Sequence, residues 1–158
     1  RNPETFGYIT AFSAALIKRL ILRANEEEGL DYFTRIQYQN MFGLEKIQDF
    51  EGSDWDYDAL ARKLASSERA KPKIYMDCGT EDVSLYQANL DFKNLLQKFG
   101  YDVTWDSRSE LHDNVFWNDS LKKAADFLPI EKLEYTPDSL MNRKLKVMNE
   151  AMTRKMMK

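Results

Sequence analysis

The sequence predicts an α/β fold over residues 1–130, built as a mostly parallel sheet with crossover helices, and a basic helical tail over residues 131–158. Three observations carry this. Two short apolar stretches, Phe6 to Ala15 and Lys73 to Cys78, have the aromatic and β-branched character of buried strands. Between Ser84 and Gly100 the apolar residues recur at helical spacing. The order from Lys73 onward, strand, helix, strand, loop, helix, is that of a parallel sheet with helical crossovers.

Phe6 to Ala15 is read as a central strand, buried on both faces. From Ile17 to about Asn40 apolar and charged residues mix, and the acidic run Glu26-Glu27-Glu28 before Gly29 reads as a solvated helix end or loop. Asp49 to Asp58 is rich in turn residues and carboxylates. Calcium is the sharp reading of those acids, but the EF-hand spacing around a central glycine is absent. They are better read as turn and cap residues leading into a short helix, Ala59 to Ser66, capped by Asp56 or Asp58. After Lys71-Pro72 comes the second strand, Lys73 to Cys78, which Gly79 ends. Ser84 and Gln87 have capping-box spacing; Ala88, Phe92, Leu95, Leu96 and Phe99 form one apolar face; Gly100 stands at the carboxyl cap. Tyr101 to Trp105 alternates as a third strand, Asp106 to Leu111 reads as a polar loop, and a last helix starts near Asp113. Its apolar face is Trp117, Leu121, Ala124 or Ala125, and Leu128, and Pro129 stops it. In the tail, Met141, Leu145, Met148, Met152 and Met156 make one stripe among lysines and arginines. That stripe suits docking on the core or on a second copy as a homo-oligomer; a partner-binding or membrane-surface helix is the other reading.

With 158 residues, 43% of them hydrophobic, the chain can build one ordinary core. A formal charge of −3 creates no field that favours nucleic acid or an anionic membrane. The single Cys78 excludes an internal disulfide and a cysteine zinc site, which fits a reducing, cytoplasmic setting. The longest apolar stretch, Phe12 to Leu22, is broken by Lys18 and Arg19 and falls short of a membrane span. The start Arg1-Asn2-Pro3-Glu4 has neither an initiator methionine nor an apolar targeting core, and reads as cut.

An ester-cleaving triad needs a nucleophile, a base that takes its proton, and an acid that orients the base. Asp82 lies just beyond the carboxyl end of the second strand, where open parallel sheets place their ligands. His112 is the one histidine, in the loop after the third strand. Acid before histidine matches one of the known triad orders. Each residue also has a plain reading, Asp82 as a helix cap or turn residue and His112 as a surface or packing residue.

The segment from Lys73 to Asp82, the helix after it with Asn89, Leu95 and Gly100, and Tyr101 to Trp105 followed by His112-Asp113-Asn114-Val115-Phe116-Trp117 resemble one known family. It is the esterase family of α/β-hydrolases that holds the tributyrin esterases and the S-formylglutathione hydrolase (esterase D) group, and the likeness is to its carboxyl-terminal half. Asn2-Pro3 with Phe6, Ala11 to Leu16, and Phe42-Gly43 extend the resemblance over Asn2 to Ile130. It implies the later strands and helices of an α/β-hydrolase sheet, with Asp82 as triad acid and His112 as triad base. It also implies a small-molecule ester or thioester substrate, no metal and no cofactor. Glu110 stands where the family usually has glycine, and Asn114 where an aromatic is common, which changes the loop and the acyl pocket.

No G-x-S-x-G elbow occurs in the chain. The resemblance places that elbow shortly before Arg1, so the chain alone is expected to show little or no turnover and to expose an apolar strand edge prone to pairing. Ser13 precedes Asp82 and His112 in triad order, but no glycine flanks it and the family's matching serine ends a strand. Ser84 reads as a cap and Cys78 as a buried strand residue. Two rivals stand: a non-catalytic interaction module that uses the basic tail, and a carbohydrate esterase of the acetylxylan or feruloyl type.

Overall fold

The computed structural model describes residues 2–16, 18, 21, 32–130, 141, 145 and 148. Its elements in chain order are β1 (Tyr8–Phe12), α1 (Tyr32–Phe42), a 3-10 turn (Ile47–Phe50), α2 (Tyr57–Ala65), β2 (Lys73–Gly79), α3 (Tyr86–Lys98), β3 (Val103–Arg108) and α4 (Asn114–Phe127). The three strands form one sheet in the order β1-β2-β3, parallel throughout. This is the expected α/β arrangement.

β2 is the central strand. Its residues from Ile74 to Gly79 are all buried, and its pairing runs from Tyr8↔Lys73 on one side to Gly79↔Arg108 on the other. Alternation sends Ile74 and Met76 into a core with Ala61 of α2, Leu96 of α3 and Tyr101, while Tyr75 meets the Phe127 ring of α4 at 5.8 Å. The sheet is therefore covered by α2 and α3 on one face and by α4 on the other, which is why β2 reads as a continuous apolar run.

The first strand, read as central in the fold and as an exposed apolar edge in this chain, lies at the side of the described sheet. β1 is five residues long, pairs with β2 alone among the described residues, and leaves Tyr8 and Ile9 36% and 42% exposed. Its apolar composition suits burial on both faces, and among the described residues one of its two edges is paired.

β3 runs three residues past Trp105, because parallel pairing with β2 continues through Asp77↔Asp106, Cys78↔Ser107 and Gly79↔Arg108. Polar side chains at 106–108 hid this, since the backbone ladder does not depend on them. In α4 the buried face is Phe116, Ser120 and Ala124, one position away from the expected stripe, and Leu121 is 61% exposed. Arg108 sets this rotation: its Nη2 donates to Phe116 O at 2.7 Å and to Ser120 Oγ at 2.8 Å, drawing that face inward.

Two caps follow the sequence. The Asp56 side chain accepts from Asp58 N and Ala59 N and so starts α2, and Asp113 accepts from Val115 N and Phe116 N and starts α4. Gly100, at φ +75°, closes α3, with its own N–H on Gln97 O and Tyr101 N on Leu96 O. The Ser84 cap is not formed: Leu85 stands at the N-cap of α3 with no side-chain cap hydrogen bond. A smaller apolar cluster joins Ile21, Ile47 and Phe50 to Tyr38 and Phe42.

The chain divides into two compact units, Arg1–Leu128 and Pro129–Lys158. In the second, Met141, Leu145 and Met148 are helical and exposed. The rest of the tail stripe and the run Glu26-Glu27-Glu28 lie outside the described residues. Among the described residues no helix is long and apolar enough to cross a membrane.

Candidate active site

β2 ends at Gly79, and the turn that follows puts Asp82 at the mouth of the sheet, with its N–H on Gly79 O at 3.2 Å. Asp82 is buried, at 5% exposure, and its two carboxylate oxygens do different work. Oδ1 accepts from Leu85 N at 3.1 Å, and the Asp82 carbonyl accepts from Tyr86 N at 2.9 Å, so the residue closes the turn that leads into α3. Oδ2 lies 2.8 Å from His112 Nδ1. One Asp82 oxygen thus serves the backbone of the following turn and the other meets the His112 ring.

The His112 side chain is 45% exposed. The ring meets the edge of Trp117 at 4.9 Å and 87°, so the first turn of α4 supplies a wall for the imidazole. A carboxylate on Nδ1 favours the tautomer with its proton there and leaves Nε2 as the basic lone pair. Such a pair can take a proton from a hydroxyl and return it to a leaving group.

Cys78 is fully buried on β2, with Sγ 3.9 Å from Asp82 Oδ2. Burial pushes its thiol up to about 11, so it is not an activated thiolate. Ser13 sits at the end of β1 with φ +43° and 3% exposure. It takes a left-handed conformation without the glycine the sequence reading had required. The adjacent Ala14 is held on both sides by Asn89, whose Oδ1 accepts from Ala14 N at 3.2 Å and whose Nδ2 donates to Ala14 O at 2.8 Å. Ser13 Oγ makes no hydrogen bond to His112. Ser84 is exposed and does not cap α3.

Behind His112 lies a charged cluster that the sequence reading did not single out. Arg108 is raised further above its usual range: burial opposes its charge, but Glu110, Asp106 and Asp77 outweigh that. Asp77, fully buried on β2, is raised by burial, against hydrogen bonds from Ser120 and Tyr75 and the charge of Arg108. Among the described residues no group of three His, Cys, Asp or Glu side chains is placed to hold a metal ion. The Asp49 to Asp58 acids serve the backbone and Lys18, whose Nζ reaches Asp56 at 2.7 Å and Asp58 at 3.3 Å.

An acetyl esterase of Caldicellulosiruptor saccharolyticus is 34% identical over 125 residues, a match that covers 79% of this chain and 46% of that protein. The chain thus spans less than half the length of this relative. Among solved structures, FphF, a fluorophosphonate-binding serine hydrolase of Staphylococcus aureus, superposes with a TM-score of 0.58 at 24% identity, over 77% of this chain and 44% of that one. The S-formylglutathione hydrolase FrmB of Staphylococcus aureus gives a TM-score of 0.52 at 20% identity, over 76% and 53%. No family model matches the chain. The chain resembles an esterase over most of its length, and its fold is that of part of an α/β serine hydrolase.

Proposed function

We propose that Asp82 and His112 are the acid and base of a serine-esterase triad whose nucleophilic serine lies on a segment outside this chain. The observation that carries this is the 2.8 Å pairing of Asp82 Oδ2 with His112 Nδ1 at the carboxyl end of the parallel strands. The likeness to an acetyl esterase supports a carboxylic ester with a short acyl group as substrate; a thioester such as S-formylglutathione is the neighbouring class.

In this reading His112 Nε2 takes the serine proton as the hydroxyl oxygen attacks the acyl carbonyl. It then gives that proton to the departing alcohol or thiol. Water repeats the sequence on the acyl-enzyme and returns the carboxylic acid. Asp82 holds the imidazole in the tautomer that makes Nε2 basic, and stabilises the imidazolium once formed. The oxyanion donors belong with the serine, outside this chain, so the chain by itself has no turnover.

The test has two arms. The chain alone is treated with a fluorophosphonate probe and weighed intact, with no adduct expected; a stoichiometric adduct on Ser13 overturns the external nucleophile. The chain is then fused behind the amino-terminal part of the Caldicellulosiruptor acetyl esterase and assayed on p-nitrophenyl acetate. Hydrolysis that disappears in His112→Ala supports the reading. A folded fusion with no hydrolysis, together with a monodisperse chain, favours the interaction module instead, and preference for acetylated xylan over simple esters favours the carbohydrate esterase.

A further inference from the structure

The loop that carries His112 is fastened at a residue other than His112 itself. Glu110 is held at both ends: its carboxylate accepts from Arg108 Nε at 3.1 Å, and its carbonyl accepts from Glu81 N at 3.2 Å. Glu81 in turn meets the Ser109 hydroxyl through its carboxylate. Thr80 N donates to Arg108 O at 2.8 Å, so the acid-bearing turn and the base-bearing loop are stitched along their length. Gly79 makes the approach possible, since a Cβ there would lie 2.0 Å from Glu110 O.

Arg108 anchors this clasp. Its guanidinium stacks 3.9 Å over the Phe116 ring, donates to Asp106 Oδ2 at 2.7 Å, and bonds Phe116 O and Ser120 Oγ on α4. Asp77 and Asp119 lie 3.6 Å away on other sides. A planar fork with five donors can join the end of β3, the His112 loop and α4 in this way, and a lysine cannot. The α4 wall of His112 is thereby tied to the Arg108 side chain, and the turn that bears Asp82 is tied to the same strand end and loop through the backbone of Arg108 and Glu110.

We infer that Glu110 and Arg108 are positioning residues for His112: the Arg108-Glu110-Glu81 clasp holds the loop so that the imidazole meets Asp82 and Trp117 together. The inference rests on the triad reading for its catalytic meaning, but its geometry does not depend on turnover. His112 is the one histidine of the chain, so its ring nitrogens are read without overlap.

The experiment uses the ¹⁵N-labelled 158-residue chain at a pH where the imidazole is neutral, and reads the tautomer ratio from the ¹⁵N shifts of the His112 ring. The wild type is expected in the Nδ1–H form. Glu110→Ala should move the ratio toward Nε2–H by about threefold to tenfold, the worth of one lost hydrogen bond. Glu110→Gln, which still offers an oxygen to Arg108 Nε, should restore it. Arg108→Lys should behave like Glu110→Ala. A Glu110→Ala variant that melts earlier but keeps the wild-type ratio overturns the inference and leaves Glu110 merely structural. A wild type already in the Nε2–H form instead overturns the Asp82–His112 pair, so the two failures are distinct. Should Glu110→Ala not fold, amide exchange of Glu81 in the wild type decides: protection supports the clasp, and exchange at the rate of a free amide overturns it.

Discussion

Asp82 Oδ2 and His112 Nδ1 stand 2.8 Å apart although thirty positions separate them in the chain. The other Asp82 oxygen closes the turn into α3. Substitution therefore separates two roles. Asp82→Asn keeps an oxygen for Leu85 N and should melt within about a degree or two of the wild type, yet in the active fusion it should lower kcat by about 10³- to 10⁴-fold through loss of the correct tautomer. Asp82→Ala should add about 1 kcal/mol of destabilisation from the lost cap. Thermal melts and p-nitrophenyl acetate kinetics on the same samples measure both.

Gly79→Ala should be costly for a steric reason, since the new methyl would meet backbone at 2.0 Å from Glu110 O and 2.7 Å from Glu110 C. Backbone does not give way as a flexible side-chain end does, so a loss of about 2–3 kcal/mol is expected by urea denaturation. Gly7→Ala, with nothing within 4 Å of its added Cβ, is the control and should change stability by less than about 0.5 kcal/mol.

Asp56 is 1% exposed, caps α2 and pairs with Lys18. Its carboxyl is held below its ordinary value of 3.8: burial works the other way, but the Gly52 N–H, Lys18 and Ala59 N–H outweigh it. A depressed acid contributes stability above its unfolded value, which is lost as pH falls through the folded one. Asp56→Asn should retain the cap, lose the pair and flatten the acid limb of the stability curve. Asp56→Ala should lose both, at about 3 kcal/mol. Melting points from pH 7 down to pH 3 test the order.

Asp77 behaves oppositely. Its carboxyl is raised above 3.8, burial being the main cause. A raised acid contributes stability that is complete below the unfolded value and declines as pH rises through the folded one. Asp77→Asn should therefore gain on the wild type as pH climbs from about 4 to 7, by a few degrees in melting point. A constant difference across that range would show that ionisation of Asp77 does not set it.

Much of this was legible in the sequence because it is local. β2 announces itself by Ile74-Tyr75-Met76, α3 by its apolar spacing and Gly100, and Asp56 and Asp113 by their places before helical stretches. The errors are as informative. The end of β3 was hidden because Asp106, Ser107 and Arg108 are polar, yet their backbone completes the ladder to β2. The face of α4 was misplaced by one residue because Ser120, a polar residue, is turned inward by Arg108. Ser84 had the spacing of a cap, but Tyr86 N, one of the amides it would serve, is taken by the carbonyl of Asp82, which the turn from Gly79 fixes.

By itself the sequence determined the strand and helix order from Asp56 onward, the parallel class of the sheet, and Asp82 and His112 as the two residues worth pairing, while α1 went unread. These follow from periodicity, caps and chain order, which are properties of neighbours along the chain. Only the tertiary structure decided that Asp82 divides its oxygens between the turn into α3 and His112, and that Arg108 and Glu110 stand behind the imidazole. Those relations join residues brought together when β2 and β3 pair and α4 packs across them, and no spacing in the chain encodes a distance of that kind.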